Sequence, residues 1–369
     1  MASIYKSITK NNLPDFFKDF VYGEFDEIQR DINISSHVKL SDYDFSGDEI
    51  EHAPTFSWEL TSYCQYRCTY CYAWEMLTKK FDKSKLDLVP VILNKLKLKK
   101  LPKFHVELLG GEPTTHPMIF EILEELHKND KCISIELITN LAKPLSFFEK
   151  FKEYDFNKLI ISASYHNEYD KKDRFLEKCI EVNKLDNIRL FFANINFPVE
   201  SNTWDTSLNI IKQLCENNIW NHFNLIHSTK KYTGFDFGYD YVTGDGFGNN
   251  NKNLVQVFNK FLTYCQKSCE EGLDIFNKSI QRKVNFKNKK TGKTLSMPEL
   301  LVRAHEFDRF ESWKCTPQMW TIDLNGIFRN DCTNEPIDIL FNDIGKCITC
   351  PVKTGCQCDV MLSYAKHRQ

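Results

Sequence analysis

The sequence has 369 residues, of which 42% are hydrophobic and 27% charged, and its formal net charge is −2. These values are typical of a globular chain with one large domain and a smaller one, and with no basic stripe they predict neither nucleic acid nor an anionic membrane as partner. There is no apolar run near the roughly 20 residues of a membrane span and no recognisable secretory signal, so we expect a cytoplasmic protein whose cysteines serve metal or redox chemistry.

Pattern and composition divide the chain into four segments. An N-terminal extension covers residues 1–52, and an α/β domain follows over 53–230. Residues 231–310 read as a linker with loops and helical stretches, and residues 311–369 form a small cysteine-rich extension. Such a cysteine-rich tail has little apolar periodicity, so it needs a metal to hold a fold.

The α/β domain alternates six strands with five helices, which gives six β/α units of which the last is represented by its strand alone. Strands are predicted at 55–62, 104–110, 132–140, 158–164, 188–196 and 222–227, and helices at 88–100, 117–129, 144–154, 174–185 and 206–218. Repeated units of this kind build a parallel sheet with right-handed crossovers. Six units are too few for a closed eight-stranded barrel, so the pattern predicts an open, partial (β/α)6 barrel.

Three cysteines follow the first strand directly, at C-x3-C-x2-C spacing: Cys64, Cys68 and Cys71. Ligands of parallel α/β folds bind at the carboxyl ends of the strands, which is where this loop falls. Structural zinc takes four protein ligands and a [4Fe–4S] cluster has four irons, so three thiolates leave one position open for substrate or cofactor. A zinc knuckle with a fourth ligand from elsewhere is the alternative.

The spacing Cys64, Cys68, Tyr70, Cys71 resembles the cluster-binding loop of radical S-adenosylmethionine (radical SAM) enzymes. The resemblance implies that the three cysteines hold a [4Fe–4S] cluster whose fourth iron binds S-adenosylmethionine. It also implies reductive cleavage of that cofactor to methionine and a 5′-deoxyadenosyl radical, which abstracts a hydrogen atom from a substrate. The expected fold of the family is the partial (β/α)6 barrel.

Further positions match the family either by a sequence motif or by their location at the end of a strand. Gly110-Gly111-Glu112-Pro113 follows the second strand and resembles its GGEP motif, in which glycines permit close backbone approach and the carboxylate can accept from an ammonium group. The resemblance also implies cofactor contacts at Asn140 and at Ser162 and Ser164, which end the third and fourth strands. Looser candidates are Asn194, Asn196 and His166.

The segment beyond residue 230 is expected to contain a loop, two hairpins and a short helix. The loop is glycine-rich and aromatic, at 232–251, and the hairpins lie at 284–295 and at 321–332, the second turning at Asn325-Gly326. Ser296 and Glu299 form a capping box that starts a helix reaching about His305. Trp313 and Trp320 are interpreted as ordinary packing residues.

The last 55 residues hold six cysteines, which resemble the SPASM/twitch extensions of radical SAM enzymes: Cys315, Cys332, Cys347, Cys350, Cys356 and Cys358. The resemblance implies one auxiliary [4Fe–4S] cluster, with Cys315, Cys332, Cys347 and Cys350 as its expected ligands. The final C-x-C pair departs from the family pattern, and two clusters or a zinc site remain open. Of the remaining cysteines, Cys132, Cys179 and Cys215 are expected to be buried small hydrophobes.

The sequence thus predicts a radical SAM enzyme acting on a peptide or peptide-like substrate, with a flavodoxin or ferredoxin-type protein as its electron donor. Nucleoside or sugar substrates are the alternative within this class. The alternative from another class is a non-catalytic iron–sulfur or zinc protein that binds partners.

Overall fold

The structure is a computed structural model. It describes residues 5–7, 43–46, 53–71, 73, 76–197, 204–217, 219–225, 277–279, 285–292, 294–296, 314–315, 319–330, 336, 344, 348–349 and 366–367. The predicted loop at 232–251 and the predicted helix after Ser296 lie outside these residues. None of the helices within them is both long and apolar enough to cross a membrane.

Sixteen strands and five α-helices lie within the described residues. The strands are β1 (Tyr5–Ser7), β2 (Tyr43–Ser46), β3 (Thr55–Thr61), β4 (Phe104–Gly110), β5 (Cys132–Thr139), β6 (Phe156–Tyr165), β7 (Ile188–Phe197), β8 (Trp220–Leu225), β9 (Asn277–Ser279), β10 (Asn285–Asn288), β11 (Thr294–Ser296), β12 (Lys314–Cys315), β13 (Met319–Ile322), β14 (Phe328–Asn330), β15 (Ile348–Thr349) and β16 (Lys366–His367). The helices are α1 (Leu88–Leu96), α2 (Ile119–His127), α3 (Leu145–Glu149), α4 (Lys172–Val182) and α5 (Trp204–Glu216).

The main sheet has eight strands in the order β14-β13-β3-β4-β5-β6-β7-β8. Strands β3 to β8 are all parallel, and each pair of successive strands is joined through one of the five helices. The sheet does not close on itself, because β14 and β8 stand at its two ends. The predicted open, partial (β/α)6 barrel is therefore confirmed.

One face of the sheet packs against the helices. Alternate residues of β3, namely Phe56, Trp58 and Leu60, belong to one buried apolar cluster with Ile92 and Leu96 of α1. Period-two alternation in the strands and the amphipathic pattern of the helices produce this cluster together. Cys132 and Cys179 are part of it, which confirms them as buried hydrophobes.

Helix α1 ends four residues before its predicted end. Its last residue is Leu96, and the chain continues through i+3 hydrogen bonds from Lys97 to Asn94 and from Leu98 to Lys95. Pro102 disfavours helical backbone just before it, and the run of lysines supplies no apolar contact to extend the helix.

The predicted hairpin at 321–332 extends the barrel sheet. β13 and β14 are antiparallel, and β13 pairs in parallel with β3, so Trp320 and Ile322 continue the buried cluster. The turn needs glycine because Gly326 has φ +71° and lies against Ile92 of α1. The hairpin predicted at 284–295 is formed by β10 and β11, and β2 of the N-terminal extension adds to it.

The opposite face of the sheet carries polar side chains in register. Ser57 of β3 donates to Glu107 Oε2 of β4 at 2.8 Å, and Glu107 is the register partner of Glu136 on β5. Burial and the neighbouring Glu107 charge raise the pKa of Glu136 to about 8. A buried carboxyl group beside a half-buried one favours one bound proton on the pair.

This raised pKa predicts a pH-dependent stability. Between the ordinary glutamate pKa and about 8, the folded chain retains a proton that the unfolded chain has released. The free energy of unfolding should therefore fall as pH rises through this window, by up to about 1.4 kcal/mol per pH unit. Glu136→Gln should flatten that slope in urea unfolding at pH 5 to 8, whereas surface Glu125→Gln should leave it in place. Identical slopes for parent and Glu136→Gln would contradict the assignment.

Candidate functional site

The cysteine loop begins where β3 leaves the sheet. The register of β3 on β4 shifts between Glu59 and Thr61, and beyond the shift the next residues of β4 hold the loop by backbone hydrogen bonds. Gly111 N–H donates to the Thr61 carbonyl at 2.6 Å, and Glu112 N–H donates to the Tyr63 carbonyl at 2.8 Å. The start of the loop is thus fixed to the carboxyl end of β4.

Two glycines make this contact possible. A Cβ on Gly111 would lie 2.3 Å from the Tyr63 carbonyl oxygen, and one on Gly110 would lie 2.5 Å from the Thr61 carbonyl oxygen. Gly110 also has φ +122°, a conformation that other residues rarely adopt. Because glycine has no Cβ, both positions leave room for the backbone of the cysteine loop.

Within the loop, Arg67 binds backbone carbonyls. Its guanidinium donates to the carbonyls of Cys64 and Tyr66 and, at 2.5 Å, to that of Thr78. Cys71 N–H closes a turn on the Cys68 carbonyl at 3.1 Å. Arginine's planar fork can hold several carbonyls at once, so one side chain joins both ends of the loop.

The segment after β6 holds the other side of the loop. Glu168 accepts from both the amide and the hydroxyl of Thr69, and Asp170 accepts from the Tyr66 hydroxyl at 2.7 Å. Asp170 also accepts from the His166 backbone N–H at 2.7 Å. Carboxylates of the β6–α4 connection therefore hold the cysteine loop through several charge-assisted hydrogen bonds.

The three cysteine side chains are free thiols with different exposure. Cys64 and Cys68 are buried, and Cys71 is half-buried. Burial raises the pKa of Cys64 to about 11 and that of Cys68 to about 12, and it also raises the pKa of Cys71. The thiols are thus neutral near pH 7 unless a metal ion displaces their protons.

Polar groups lie close to two of the sulfurs. Tyr66 N–H points to Cys64 Sγ at 3.4 Å, and the Asn140 amide nitrogen lies 3.7 Å from the same sulfur. His166 Nδ1 lies 3.5 Å from Cys68 Sγ and 2.9 Å from the Tyr70 hydroxyl, and the Tyr70 and His166 rings are stacked. Burial lowers the pKa of His166 to about 4, so its ring is neutral at pH 7.

Glu112 joins the ends of β4 and β5. Its buried carboxylate accepts at Oε1 from the Thr114 amide and hydroxyl and, at 2.7 Å, from the Thr139 hydroxyl. At Oε2 it accepts from the Asn140 amide at 2.8 Å. Burial raises the pKa of this carboxyl, although the hydrogen bonds favour its charged form. Asn140, positioned in this way, reaches Cys64.

The predicted residues of β6 and β7 lie on the polar face of the sheet. Ser162 is buried and accepts from the Asn194 side-chain amide at 2.7 Å, and Ser164 is the register partner of Asn194. Asn196 donates to the Tyr165 carbonyl at 2.9 Å. Pro113 opens a short 3₁₀ turn after Glu112. These groups therefore belong to the same end of the sheet as the cysteine loop.

The tail cysteines are largely outside the described residues. Cys315 lies in β12, whose backbone pairs with β15 and β16. Cys332, Cys347, Cys350, Cys356 and Cys358 are not among the described residues, nor is Trp313. Trp320 is fully buried in the main cluster, which confirms its packing role.

The cysteine loop fits an iron–sulfur cluster by the chemistry of its donors. It offers three free thiols, two of them buried, with amide groups directed at one sulfur. Within the described residues, no three His, Cys, Asp or Glu side chains are already arranged to hold a metal ion. Cluster binding would therefore involve deprotonation of the thiols and an adjustment of the loop.

Several supporting residues were missed by sequence reasoning. Arg67, Glu168 and Asp170 carry much of the loop's hydrogen bonding, and Lys178 of α4 holds the turn after β5 by donating to the Leu141 and Lys143 carbonyls. A polar run at the carboxyl end of a strand, HNEYD at 166–170, was the available signal. Nothing in the pattern around Arg67 or Lys178 distinguishes them from surface cations.

Comparison with known proteins gives one family match. The model of the Radical SAM superfamily matches residues 58–235, which is just under half of the chain and includes the cysteine loop and strands β4 to β8. No curated protein sequence matches the chain.

Solved structures give weaker similarities. Streptococcus suis SuiB bound to S-adenosylmethionine is 16% identical, with a TM-score of 0.39 over 58% of this chain and 48% of SuiB. This chain thus spans about half the length of SuiB. Native anSMEcpe with bound AdoMet and Cp18Cys peptide is 16% identical, with a TM-score of 0.41 over 79% of this chain and 76% of that protein. BtrN in complex with AdoMet and 2-DOIA is 13% identical, with a TM-score of 0.31 over 63% of this chain and 96% of BtrN.

Proposed function

We propose that this chain is a radical SAM enzyme. The observation that carries the proposal is the loop of three free cysteines at the carboxyl end of an open parallel barrel, within a segment that matches the Radical SAM superfamily. Cys64, Cys68 and Cys71 would hold a [4Fe–4S] cluster. With S-adenosylmethionine bound, that cluster would supply the electron that releases methionine and a 5′-deoxyadenosyl radical.

The chain's own residues would position these groups. Gly110 and Gly111 hold the loop against β4, and Glu112 fixes Asn140 beside Cys64. The Tyr66 backbone N–H and the Asn140 side-chain amide, which lie near Cys64, would stabilise the negative charge of its sulfur bound to iron. Tyr70, Glu112, Pro113, Ser162 and Ser164 remain proposed contacts of S-adenosylmethionine, because they lie at the same end of the sheet.

The substrate, the auxiliary cluster and the electron donor belong to the proposal as well. A peptide or peptide-like substrate and one auxiliary [4Fe–4S] cluster, held by Cys315, Cys332, Cys347 and Cys350, rest on the resemblance of the tail to SPASM/twitch extensions. A flavodoxin or ferredoxin-type donor rests on the need for one low-potential electron per cleavage. The cytoplasmic location and the four-segment division remain predictions.

The test is anaerobic reconstitution with iron and sulfide, followed by dithionite and S-adenosylmethionine. The parent should bind about eight irons per chain and form 5′-deoxyadenosine, and a variant with Cys64, Cys68 and Cys71 all changed to Ala should bind about four and form none. A variant with Cys132 and Cys179 changed to Ala is the matched control, because both thiols lie in the helix-facing core.

The possible outcomes separate the parts of the proposal. No deoxyadenosine from an iron-loaded parent would contradict the enzyme assignment and favour a non-catalytic iron–sulfur protein. About four irons in the parent, lost on the triple substitution, would contradict the auxiliary cluster alone.

A further inference from the structure

The three sulfurs of the cysteine loop differ in the kind of group that donates to them. Cys64 and Cys71 each accept from a backbone N–H two residues further along the loop. Cys68 instead accepts from a side chain, the hydroxyl of Tyr70. A side-chain donor can be oriented by its own neighbours, whereas a backbone donor is fixed by the turn. Cys68 is therefore the sulfur whose surroundings depend on particular side chains.

The Tyr70 hydroxyl is in turn held by His166. Nδ1 of His166 lies 2.9 Å from the Tyr70 hydroxyl oxygen and 3.5 Å from Cys68 Sγ. The two rings are nearly parallel, with an interplanar angle of 14°. One oxygen, one nitrogen and one sulfur thus meet at this point, and the positions of their protons decide which group donates to the sulfur.

Several contacts fix the imidazole of His166 in this position. Its backbone N–H donates to the Asp170 carboxylate at 2.7 Å, and its carbonyl accepts from the N–H groups of Tyr169 and Asp170 at 2.9 and 2.8 Å. The Tyr66 ring meets the imidazole edge-on, and Tyr70 covers one of its faces. Nδ1 is therefore kept beside the Tyr70 hydroxyl by the backbone and by two tyrosine rings.

A negatively charged sulfur selects one arrangement of the protons. A neutral imidazole carries a single ring proton, on Nδ1 or on Nε2. With the proton on Nε2, the Nδ1 lone pair would take the Tyr70 proton and would lie 3.5 Å from the Cys68 thiolate. With the proton on Nδ1, the imidazole donates to the Tyr70 oxygen, and the Tyr70 proton is left for the sulfur. The second arrangement avoids two acceptors facing each other.

We propose that His166 is a positioning residue for the cluster: as its Nδ1–H tautomer it directs the Tyr70 hydroxyl to donate to the iron-bound sulfur of Cys68. This inference rests on the proposed function and concerns the same site. A hydrogen bond to a cluster sulfur stabilises the negative charge that increases on reduction, so it raises the reduction potential. An external reductant supplies the one electron, and His166 makes its acceptance more favourable.

The experiment measures the midpoint potential of the loop cluster in the reconstituted full-length chain, without S-adenosylmethionine. A redox titration is followed by electron paramagnetic resonance. The signal of the loop cluster is the part of the parent spectrum that is missing from the variant with Cys64, Cys68 and Cys71 all changed to Ala.

Two single variants and their combination test the path from His166 to the sulfur. His166→Phe keeps a ring that can lie against Tyr70 but removes Nδ1. It should lower the equilibrium constant of one-electron reduction about tenfold, which is a potential about 59 mV lower. Tyr70→Phe should lower the potential at least as much. Because His166 acts through the Tyr70 hydroxyl, the double variant should be no lower than Tyr70→Phe alone.

Two amide variants test the position of the nitrogen. The side-chain nitrogen of asparagine, like Nδ1 of histidine, is separated from Cβ by one carbon atom, whereas that of glutamine is separated by two. His166→Asn should therefore recover at least half of the loss in potential, and His166→Gln should recover none. His127→Phe is the matched control, because His127 contacts Phe156 at the start of β6, and its potential should equal that of the parent.

A parental potential in His166→Phe would overturn the inference. So would a double variant below Tyr70→Phe, because His166 would then act on the sulfur directly. If His166→Phe holds no loop cluster, equal potentials of His166→Asn and His166→Gln would overturn it. A lowered potential in His166→Phe, with no 5′-deoxyadenosine formed by the parent, would support the role of His166 and contradict the enzyme assignment alone.

Discussion

Replacing Gly111 with alanine should remove most of the iron held by Cys64, Cys68 and Cys71. The added Cβ would lie 2.3 Å from the Tyr63 carbonyl oxygen and 3.0 Å from the Cys64 amide nitrogen. Both neighbours are backbone atoms, so the start of the cysteine loop must move. The hydrogen bond that the Tyr63 carbonyl accepts from the Glu112 amide must then weaken. We expect a loss of about 2–4 kcal/mol in the free energy of unfolding, from overpacking and lost hydrogen bonds together.

The measurement is iron per chain after reconstitution, expressed as the difference from the variant that lacks all three loop cysteines. For Gly111→Ala we expect this difference in bound iron to be less than half of the difference measured for the parent. Formation of deoxyadenosine should fall at least tenfold. Gly292→Ala is the matched control, because Gly292 has φ +73° but its Cβ would meet only the Lys287 side chain at 3.9 Å. Parental iron binding by Gly111→Ala would show that the loop does not depend on this contact.

The sequence was sufficient for the order of the barrel strands. Strands β3 to β8 each combine an alternating or continuous apolar pattern with a following amphipathic helix, and such local patterns fix both element type and parallel pairing. The predicted end of α1 was four residues too late, because the lysines after Leu96 make no apolar contact and Pro102 disfavours helical backbone before it. The pairing of β13 with β3 could not be predicted, because a four-residue strand (Met319–Ile322) carries no signal for its distant partner.

The sequence was sufficient to predict the residues proposed to bind the cluster and cofactor, but not the residues that hold the cysteine loop in place by hydrogen bonds. Cysteine spacing and the Gly-Gly-Glu-Pro run are local patterns, so Cys64, Gly111 and Glu112 could be selected from the sequence alone. Contacts such as Thr69 with Glu168, or Tyr66 with Asp170, join residues about 100 positions apart. Only the folded sheet brings them together, and neither partner has an unusual spacing.

These supports give the cysteine loop two independent attachments. β4 holds its first residues through backbone bonds that glycine permits, and the β6–α4 connection holds its middle through carboxylates. A loop fixed at both sides can keep its thiols near one place in spite of its short length. Because the loop backbone is already held at two places, less conformational entropy remains to be lost when the thiols rearrange around a metal cluster.

Replacing Glu112 with glutamine should destabilise the protein strongly, although the side chain keeps its size. The amide oxygen can still accept from Thr114 and Thr139, but the new NH₂ group would then face the Asn140 backbone N–H across a distance of 2.8 Å. Two donors would oppose each other in a fully buried place, and neither could be satisfied. Each of the two unsatisfied donors costs about 1–3 kcal/mol, so we expect a loss of about 2–6 kcal/mol in the free energy of unfolding.

Urea unfolding of the metal-free protein measures this loss without any contribution from a cluster. Glu125→Gln is the matched control, because its carboxylate meets Lys97 and Lys128 on the surface and should contribute less than about 1 kcal/mol. Because Glu112 binds the backbone N–H of Asn140, whose side chain lies beside Cys64, Glu112→Gln should also lower the iron bound by the loop. A variant as stable as the parent would mean that the buried carboxyl of Glu112 is protonated and itself donates a hydrogen bond. The raised pKa of this carboxyl would then decide its charge state in the folded protein.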